Sequence, residues 1–139
     1  MLRKHSAFTL IEILVVATII IVLTTISIAS FSTANKSARD AKRKSDLETI
    51  RQAMVLYKTQ SATGVYPTGS YERIVTALIG GNFLSPPAPA DPANGSDYSV
   101  DVTSTTAFCF CDLMDVNTRG NSGAACSFSA TTHYCVRQP

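Results

Sequence analysis

A predominantly apolar run from Phe8 to Phe31 stands near the start of this 139-residue chain and contains neither Gly nor Pro. Many of its residues are β-branched, which in water would favour a strand. Inside a lipid bilayer the backbone must satisfy its own hydrogen bonds, so the same residues favour a helix. Such a helix would be roughly 36 Å long, enough to cross a hydrocarbon core of about 30 Å. The run therefore predicts a transmembrane helix over residues 8–31.

Two features distinguish this run from an ordinary membrane anchor: a basic leader at residues 1–7 and one acidic residue, Glu12. The leader is too short, and the apolar run too long and acidic, for an ordinary secretory signal. A carboxylate inside a membrane helix is costly and is usually retained for a function. Taken alone, Glu12 could instead be stabilised at the level of the lipid headgroups by the dipole of the helix.

The order Phe-Thr-Leu-Ile-Glu at residues 8–12, behind the basic leader, closely resembles the N-terminus of type IV pilins and of the related pseudopilins of type II secretion systems. The resemblance implies that a prepilin peptidase cuts between Ala7 and Phe8, where the family usually has Gly before the cut. It also implies that the new amine of Phe8 is methylated and pairs with Glu12 of its own or a neighbouring subunit. Within one helix the two residues would share a face.

The segment after the apolar run is polar but keeps helix-forming residues. Apolar residues recur in it at spacings of three and four: Leu47, Ile50, Met54 and Tyr57. This spacing predicts an amphipathic helix with one face against a partner surface, and a Gly and a Pro shortly after it end the pattern. We therefore predict one long helix from Phe8 to near Ser61, with a membrane half at 8–31 and an amphipathic half at 32–61.

Five basic residues lie between positions 36 and 44, against the single acid Asp40. Such a run can bind DNA or lipid headgroups, but no aromatic residues are interleaved with it to stack on bases. Without the leader, which contains Arg3 and Lys4, the 12 basic residues of the chain fall to 10 and equal its 10 acidic residues. We expect no nucleic-acid partner, and we interpret the run as a solvated helix face that pairs with acids on neighbouring subunits.

Residues 62–139 predict a small α+β head. Ser70 can cap a short helix, which Gly80 and Gly81 close, and the prolines after residue 84 predict an extended connection. Three strands with alternating apolar residues follow, at 97–102, 107–113 and 132–137. Antiparallel pairing of these strands against the long helix would give an α+β, pilin-like fold. The polar loop at 117–124 would lie outside the core.

All four cysteines lie in the distal part of the chain: Cys109, Cys111, Cys126 and Cys135. An even number in one small region suits an oxidising exterior. Cys109 and Cys111 project from the same face of a predicted strand, so we expect each to bond to one of the two others, in an order that the sequence leaves open. The alternative is a structural zinc site with His133 nearby. Because no Cys-x-x-Cys pair is present, we predict disulfides and no metal.

Five aspartates of the head could supply oxygen ligands to a cation: Asp91, Asp97, Asp101, Asp112 and Asp115. Some pseudopilins that resemble this chain bind calcium in a head loop through such acids. No Asp-x-Asp loop with a bracketing Glu is present, so we interpret these residues as solvated loop and strand-end acids and predict no cofactor. No Ser/His/Asp set, carboxylate pair or phosphate-binding loop indicates catalysis, and we expect that the protein is not an enzyme.

The resemblance to type IV pilins implies a structural filament subunit that assembles by bundling of its apolar helix. The expected partners are copies of the chain and other pilins, the prepilin peptidase, an assembly platform in the inner membrane, and membrane lipid. The chain would cross the membrane once, with a cytoplasmic N-terminus and an extracytoplasmic head, before it enters an extracellular or periplasmic filament. Two alternatives stay open: a pseudopilin that serves protein export, and a signal-anchored binding domain that never polymerises.

Overall fold

The computed structural model describes residues 8–123, 126–127 and 130–138, without the side chains of residues 27–29, 102 and 103. The predicted leader and Ala7 lie outside these residues. The elements, in chain order, are helix α1 at Leu10–Gln60, helix α2 at Tyr71–Gly80, and strands β1 at Ser99–Thr103, β2 at Phe108–Leu113 and β3 at His133–Gln138. Contacts divide the chain into two compact units, Met1–Asn35 and Lys36–Pro139. The predicted α+β fold, with a long helix and a small antiparallel sheet, is confirmed.

The first unit contains the apolar part of α1. Its large hydrophobic side chains from Leu10 to Ile26 are 47–84 % exposed. By length and composition, α1 is the one helix of the described chain that could cross a membrane. The hydroxyls of Thr18, Thr24 and Thr25 donate hydrogen bonds to carbonyls three or four residues earlier. These polar groups are therefore satisfied without water, as a lipid environment requires.

In the second unit, the apolar stripe of α1 faces the core of the head. Leu47, Ile50 and Met54 are fully buried, so the predicted amphipathic face is confirmed. Tyr57, the last residue of the stripe, meets the edge of the Phe83 ring at a centroid distance of 5.5 Å. The same core also contains residues of α2, the following loop and the sheet: Ile74, Val75, Leu78, Leu84, Tyr98, Phe108, Phe110 and Val136. Helix and sheet thus share one hydrophobic core.

Helix α2 packs on this core through one apolar face. Its buried residues are Tyr71, Ile74, Val75 and Leu78. Ser70 precedes the helix with an extended backbone, but its side chain makes no capping hydrogen bond, so the predicted cap is wrong. The backbone carbonyl of Ser70 instead accepts the first helical hydrogen bond, from the N–H of Ile74 at 3.1 Å. At the other end, Asn82 has a positive φ of 62°, and the N–H groups of Asn82 and Phe83 donate to the carbonyls of Ile79 at 3.0 Å and Leu78 at 2.9 Å. This arrangement terminates the helix, with Asn82 and not a glycine in the left-handed conformation.

The sheet has the antiparallel order β1–β2–β3. Val100 and Val136 lie opposite Phe110 on the two sides of β2. The register of β1 shifts between Val100 and Val102, and such a shift marks a β-bulge. The regular alternation predicted for this strand is therefore interrupted, because a bulge inserts an extra residue into it. A bulged edge strand is also a poor template for pairing with another chain.

Strand β2 is buried on both faces. Phe108 and Phe110 belong to the core that contains the helices, whereas Cys109 and Cys111 form a second buried cluster with Cys135. Successive side chains of a strand point to opposite faces, so the sheet has an aromatic face and a cysteine face. Both faces must be shielded from water, and the helices shield only the aromatic face.

The polar loop after β2 reaches the cysteine face with its end, so the expectation that it lies outside the core holds for residues 117–119, which are exposed, and fails for Ser122 and Gly123, which are buried. Ser122 is fully buried, and a β-carbon on Gly120 would collide with the carbonyl oxygen of His133. The backbone N–H groups of Asn121 and Ser122 both donate to that same carbonyl at 2.9 Å. Polar residues can be buried here because their backbone groups pair with the edge of β3. Ala124, the end of the predicted loop, lies outside the described residues.

Candidate functional site

The start of α1 is a capping box formed by Thr9 and Glu12. The Oε2 atom of Glu12 accepts hydrogen bonds from the backbone N–H and from the hydroxyl of Thr9, each at 2.8 Å. In return, the backbone N–H of Glu12 donates to the hydroxyl oxygen of Thr9 at 3.4 Å. The pattern Thr-x-x-Glu is a sequence signature of a helix start. The signal was therefore present in the sequence, and the predicted start at Phe8 is too early because Thr9 caps the helix.

Phe8, the predicted first residue of the mature chain, precedes this cap and is 80 % exposed. Phe8 lies outside α1, which begins at Leu10. The Glu12 carboxylate binds the backbone N–H of Thr9, the residue next to Phe8. Glu12 thus lies near the segment where cleavage would create an amine, and the pairing with that amine stays a prediction.

A second site joins α1 to the head. Arg43 is surrounded by four aspartates, and we name these five residues the Arg43 cluster: Arg43, Asp40, Asp91, Asp112 and Asp115. The guanidinium nitrogens lie 2.9 Å from the carboxylate of Asp40, 2.8 Å from that of Asp91, 3.1 Å from that of Asp112 and 3.3 Å from that of Asp115. The Arg43 side chain is only 4 % exposed. A planar guanidinium with five N–H donors is suited to several carboxylates at once.

Asp40 connects this cluster to the turn that follows β2. Its carboxylate accepts the backbone N–H groups of Asp115 at 2.7 Å and of Val116 at 3.1 Å. Arg39, one residue earlier on α1, binds the Asp115 carboxylate at 2.6 Å. Charged side chains, and not apolar contacts alone, therefore hold the helix against the end of β2.

The basic run of α1 is thus only in part the solvated face that the sequence indicated: Lys36 and Lys42 are exposed, whereas Arg43 is buried. Arg39 and Arg43 bind aspartates of their own chain, and Lys42 binds an aspartate one turn further along the helix at 2.6 Å. The ammonium group of Lys44 donates to the backbone carbonyl of Arg119. The partners of the two arginines in the head are 48 and 76 residues away, and no local pattern indicates them.

The acids of the Arg43 cluster differ in their electrostatic surroundings. Burial raises the pKa of Asp112, and the negative charge of Asp91 raises it further. The Oδ2 atom of Asp112 is buried without a hydrogen-bond partner among the described residues, although it forms an ion pair with Arg43. Burial would also raise the pKa of Asp115, but the hydrogen bond from Arg39 and the charge of Arg43 outweigh this effect and lower that pKa.

Three of the five aspartates considered as cation ligands meet in this cluster: Asp91, Asp112 and Asp115. Their interpretation as solvated acids is wrong, most clearly for Asp91, which is 9 % exposed. The other two, Asp97 and Asp101, are exposed. In the cluster, the guanidinium of the same chain lies between the carboxylates. It supplies the positive charge that a bound calcium ion would otherwise bring.

We expect Asp112→Asn to stabilise the protein slightly at pH 7, by less than about 1 kcal/mol. The pKa of Asp112 is raised in the folded state, so ionisation of this carboxyl at neutral pH opposes folding. As the pH falls through the pKa of Asp112 in the folded state, the carboxyl of the wild type takes up a proton and no longer opposes folding. The difference in stability between the variant and the wild type should therefore shrink toward about pH 4. Urea unfolding of the full chain in a mild detergent, repeated across this pH range, measures the difference.

Asp115→Asn is the matched control for this prediction. The pKa of Asp115 is lowered in the folded state, so its carboxylate stabilises the protein above the unfolded pKa and loses this effect as the pH falls. Asp115→Asn should therefore destabilise at pH 7, and less so in acid. Parallel pH profiles for the two variants would refute the opposite roles assigned to the two acids.

The cysteine face of the sheet contains two disulfides, Cys109–Cys126 and Cys111–Cys135. The sequence predicted that Cys109 and Cys111 each bond to one of the other two cysteines, and the structure gives the order of pairing. The second bridge joins residues directly opposite each other in β2 and β3. The side-chain amide of Asn121 accepts from the backbone N–H of Cys135 at 2.7 Å and donates to its carbonyl at 3.0 Å. The amide thereby makes the two hydrogen bonds that a neighbouring strand would make with Cys135 at this edge of the sheet.

Comparison with known proteins concerns the N-terminal segment. Residues 2–28 match the prokaryotic N-terminal methylation motif, a stretch that includes the capping box and most of the exposed apolar helix. No curated protein and no solved structure is significantly similar to the chain. The motif is found on structural, membrane-anchored proteins that a prepilin peptidase processes, and the apolar part of α1 agrees with such an anchor. The chain therefore carries a prepilin-type N-terminal signal, of the kind found on type IV pilins and pseudopilins.

Proposed function

We propose that the mature protein is a structural subunit of a type IV pilus or a pilus-like filament. A prepilin peptidase cuts between Ala7 and Phe8, and the new amine of Phe8 is methylated. The subunit is anchored with its N-terminus in the cytoplasm and its head outside. An assembly platform in the inner membrane then moves it from the lipid into a filament with copies of itself and other pilins.

The observation that carries this proposal is the methylation motif on an apolar helix whose described side chains are exposed. In the membrane these side chains contact lipid. A subunit that leaves the lipid needs another apolar surface for them, because a large exposed apolar surface is unfavourable in water. Apolar helices of neighbouring subunits supply that surface in a filament.

In this proposal, Glu12 sets the axial position of one helix against the next. Its carboxylate is held at the start of α1 by Thr9 and pairs with the methylated amine of Phe8 of the same or a neighbouring copy. In an apolar surrounding, an ion is tolerated only when its partner is in place. Helices that slide out of register would separate the two charges, so the pair favours one arrangement.

The first test is the intact mass of the protein purified from the membrane fraction, with and without a reducing agent. The proposal predicts the loss of residues 1–7 and the gain of one methyl group. Reduction of the two disulfides should add four hydrogens. An unprocessed chain would contradict the proposal and favour the signal-anchored binding domain.

Substitutions at Glu12 separate its charge from its role as a helix cap. Glu12→Leu removes both, whereas Glu12→Gln keeps an acceptor for the Thr9 N–H and removes only the charge. We expect both variants to reach the membrane and to abolish filaments in the material sheared from cells. Thr9→Val, which weakens the cap and keeps the charge, is the control and should still assemble. Wild-type amounts of filament from Glu12→Gln would show that the carboxylate acts only as a cap.

A pseudopilin of a type II secretion system is the second candidate, supported by the same N-terminal segment and by a head with only three described strands. Deletion of the gene distinguishes the two. Loss of surface filaments with normal protein export supports the pilus subunit. Loss of export, with surface filaments intact, supports the pseudopilin.

A further inference from the structure

A groove in the head collects hydrogen-bond donors that no described residue satisfies. It has a volume of about 290 Å³ and is lined by residues of α1, of α2 and of nearby loops, among them Tyr57, Tyr66, Thr68, Arg73 and Thr105. Tyr66 is only 4 % exposed, yet its hydroxyl has no hydrogen-bond partner among the described residues. Polar groups held this deeply are nearly always hydrogen-bonded, so the hydroxyl must bond to whatever enters the groove.

Two basic side chains make this groove positive. Arg73 lines it, and the stem of Arg73 lies against Gly69, where an added β-carbon would be 3.0 Å from the Cδ atom. The ammonium group of Lys58 lies 4.5 Å from the centroid of the Tyr66 ring. Within the described part of the chain, neither cation forms an ion pair, whereas three other arginines of the chain do. Two unpaired cations beside a hydroxyl donor select an anion.

The same head exposes three acids that form no ion pair with any described residue: Glu72, Asp97 and Asp101. Two of these acids lie near the groove. Glu72 is the neighbour of Arg73 in α2. Burial raises the pKa of the Tyr71 hydroxyl, and the negative charge of Asp97 raises it further, so Asp97 lies near the start of the same helix. Asp101 is the acid that lies elsewhere.

Asp101 lies on the other side of the sheet. It is the extra residue of the β1 bulge, and one of its carboxylate oxygens is 3.9 Å from the Cys126 sulfur, at the cysteine face. The other oxygen accepts a hydrogen bond from the Ser99 hydroxyl at 3.2 Å. The groove adjoins the aromatic face, because the Tyr66 ring packs edge-on against Phe108 at a centroid distance of 4.9 Å. The groove and Asp101 are therefore separate patches of one head.

We propose that the groove of one copy binds the Asp101 carboxylate of a neighbouring copy through Arg73, Lys58 and the Tyr66 hydroxyl. A guanidinium can hold a carboxylate through two parallel hydrogen bonds. A patch that binds its own counterpart closes a dimer, whereas a contact between two different patches can repeat from copy to copy and build a filament. The contact between the groove and Asp101 is of the second kind. This inference rests on the proposed filament and names one contact between its heads.

Charge reversal in cells tests the contact through the amount of filament that shearing releases. Arg73→Glu and Asp101→Arg should each lower this amount at least about tenfold, because like charges then face each other between copies. The double variant restores opposite charges and should recover most of the wild-type amount. Arg119→Glu and Asp97→Arg are the matched controls. Each reverses an exposed charge outside the contact and should assemble as the wild type does.

Tyr66→Phe separates binding from folding. It removes only a hydroxyl that bonds to no described residue, so the midpoint of urea unfolding of the full chain in detergent should not change. The amount of filament should nevertheless fall about tenfold, the effect of losing one hydrogen bond to a charged group. In wild-type filaments, a carbodiimide should join the Lys58 amine to the Asp101 carboxylate. Because the two residues belong to separate patches of one head, such a link connects two copies.

Three outcomes would overturn the proposal. Loss of filaments in Arg73→Glu but not in Asp101→Arg would show that the groove binds a different anion. A double variant as defective as the single variants would show that the two charges do not meet. Wild-type amounts of filament from both single variants would exclude the contact and leave the proposed filament intact. A wild type without filaments, in contrast, would contradict the proposed function itself.

Discussion

Arg43→Leu is expected to lower the free energy of unfolding of the second unit by about 3–5 kcal/mol, because it removes one partner of a buried ion network. Four aspartate carboxylates converge on the guanidinium, and the Arg43 side chain is only 4 % exposed. Without this positive charge, the carboxylates repel one another in a site with little access to water. Asp40 would keep its two backbone hydrogen bonds, so part of the contact between helix and head remains.

Arg51→Leu is the matched control for Arg43→Leu. Both changes replace an arginine of α1 by the same residue, but Arg51 is 34 % exposed and binds Glu48, one turn earlier, at 2.7 Å. A helix pair of this kind contributes about 0.2–0.5 kcal/mol. Urea unfolding of the full chain in detergent, followed by near-ultraviolet circular dichroism, measures both variants. If Arg43→Leu were no more costly than Arg51→Leu, the network would not stabilise the fold.

Phe110→Ala is expected to destabilise the second unit by about 3–5 kcal/mol, the range for removal of a buried aromatic ring. Phe110 is fully buried at the centre of β2, and its ring centroid lies 5.6 Å from that of Phe108 and 6.5 Å from that of Tyr71. Its two neighbours in the strand are the bridged cysteines 109 and 111. These bridges restrain β2, so the strand cannot easily move into the cavity, and the cost should lie high in the range.

Leu113→Ala, at the end of the same strand, is the control. Leu113 is 55 % exposed, and such a surface change should alter the free energy of unfolding by no more than about 0.5 kcal/mol. Thermal unfolding of the two variants, monitored by the tyrosine signal, provides the comparison. An equal fall in Tm for both variants would show that the aromatic face of the sheet is not the core that the packing indicates.

The helices could be predicted because their signals are local. Leu47, Ile50 and Met54 are spaced to share one helix face whatever packs against them. The start of α1 is also marked locally, because Thr9 and Glu12 form the Thr-x-x-Glu pattern of a helix start. The short helix and the three strands followed from turn residues and alternation. The bulge between Val100 and Val102 did not, because a register shift depends on the neighbouring strand.

The Arg43 cluster shows why the charged residues were harder to interpret. In the sequence, the basic run around Arg43 has the same appearance as a solvated helix face. The loop before the sheet brings Asp91 to it, β2 brings Asp112, and the turn after β2 brings Asp115. Ser122 was misplaced for a similar reason: a polar loop residue is buried only if a strand edge takes up its backbone hydrogen bonds.

The sequence by itself determined the apolar span, the N-terminal processing motif, the amphipathic face of α1 and the gathering of four cysteines in the distal part of the chain. Each of these is a property of neighbouring residues or of composition. Only the tertiary structure decided which cysteines pair, which aspartates surround Arg43 and which loop covers the second face of β2. These features are distances between residues that are far apart in the chain, and only packing of the helix, sheet and loop sets such distances.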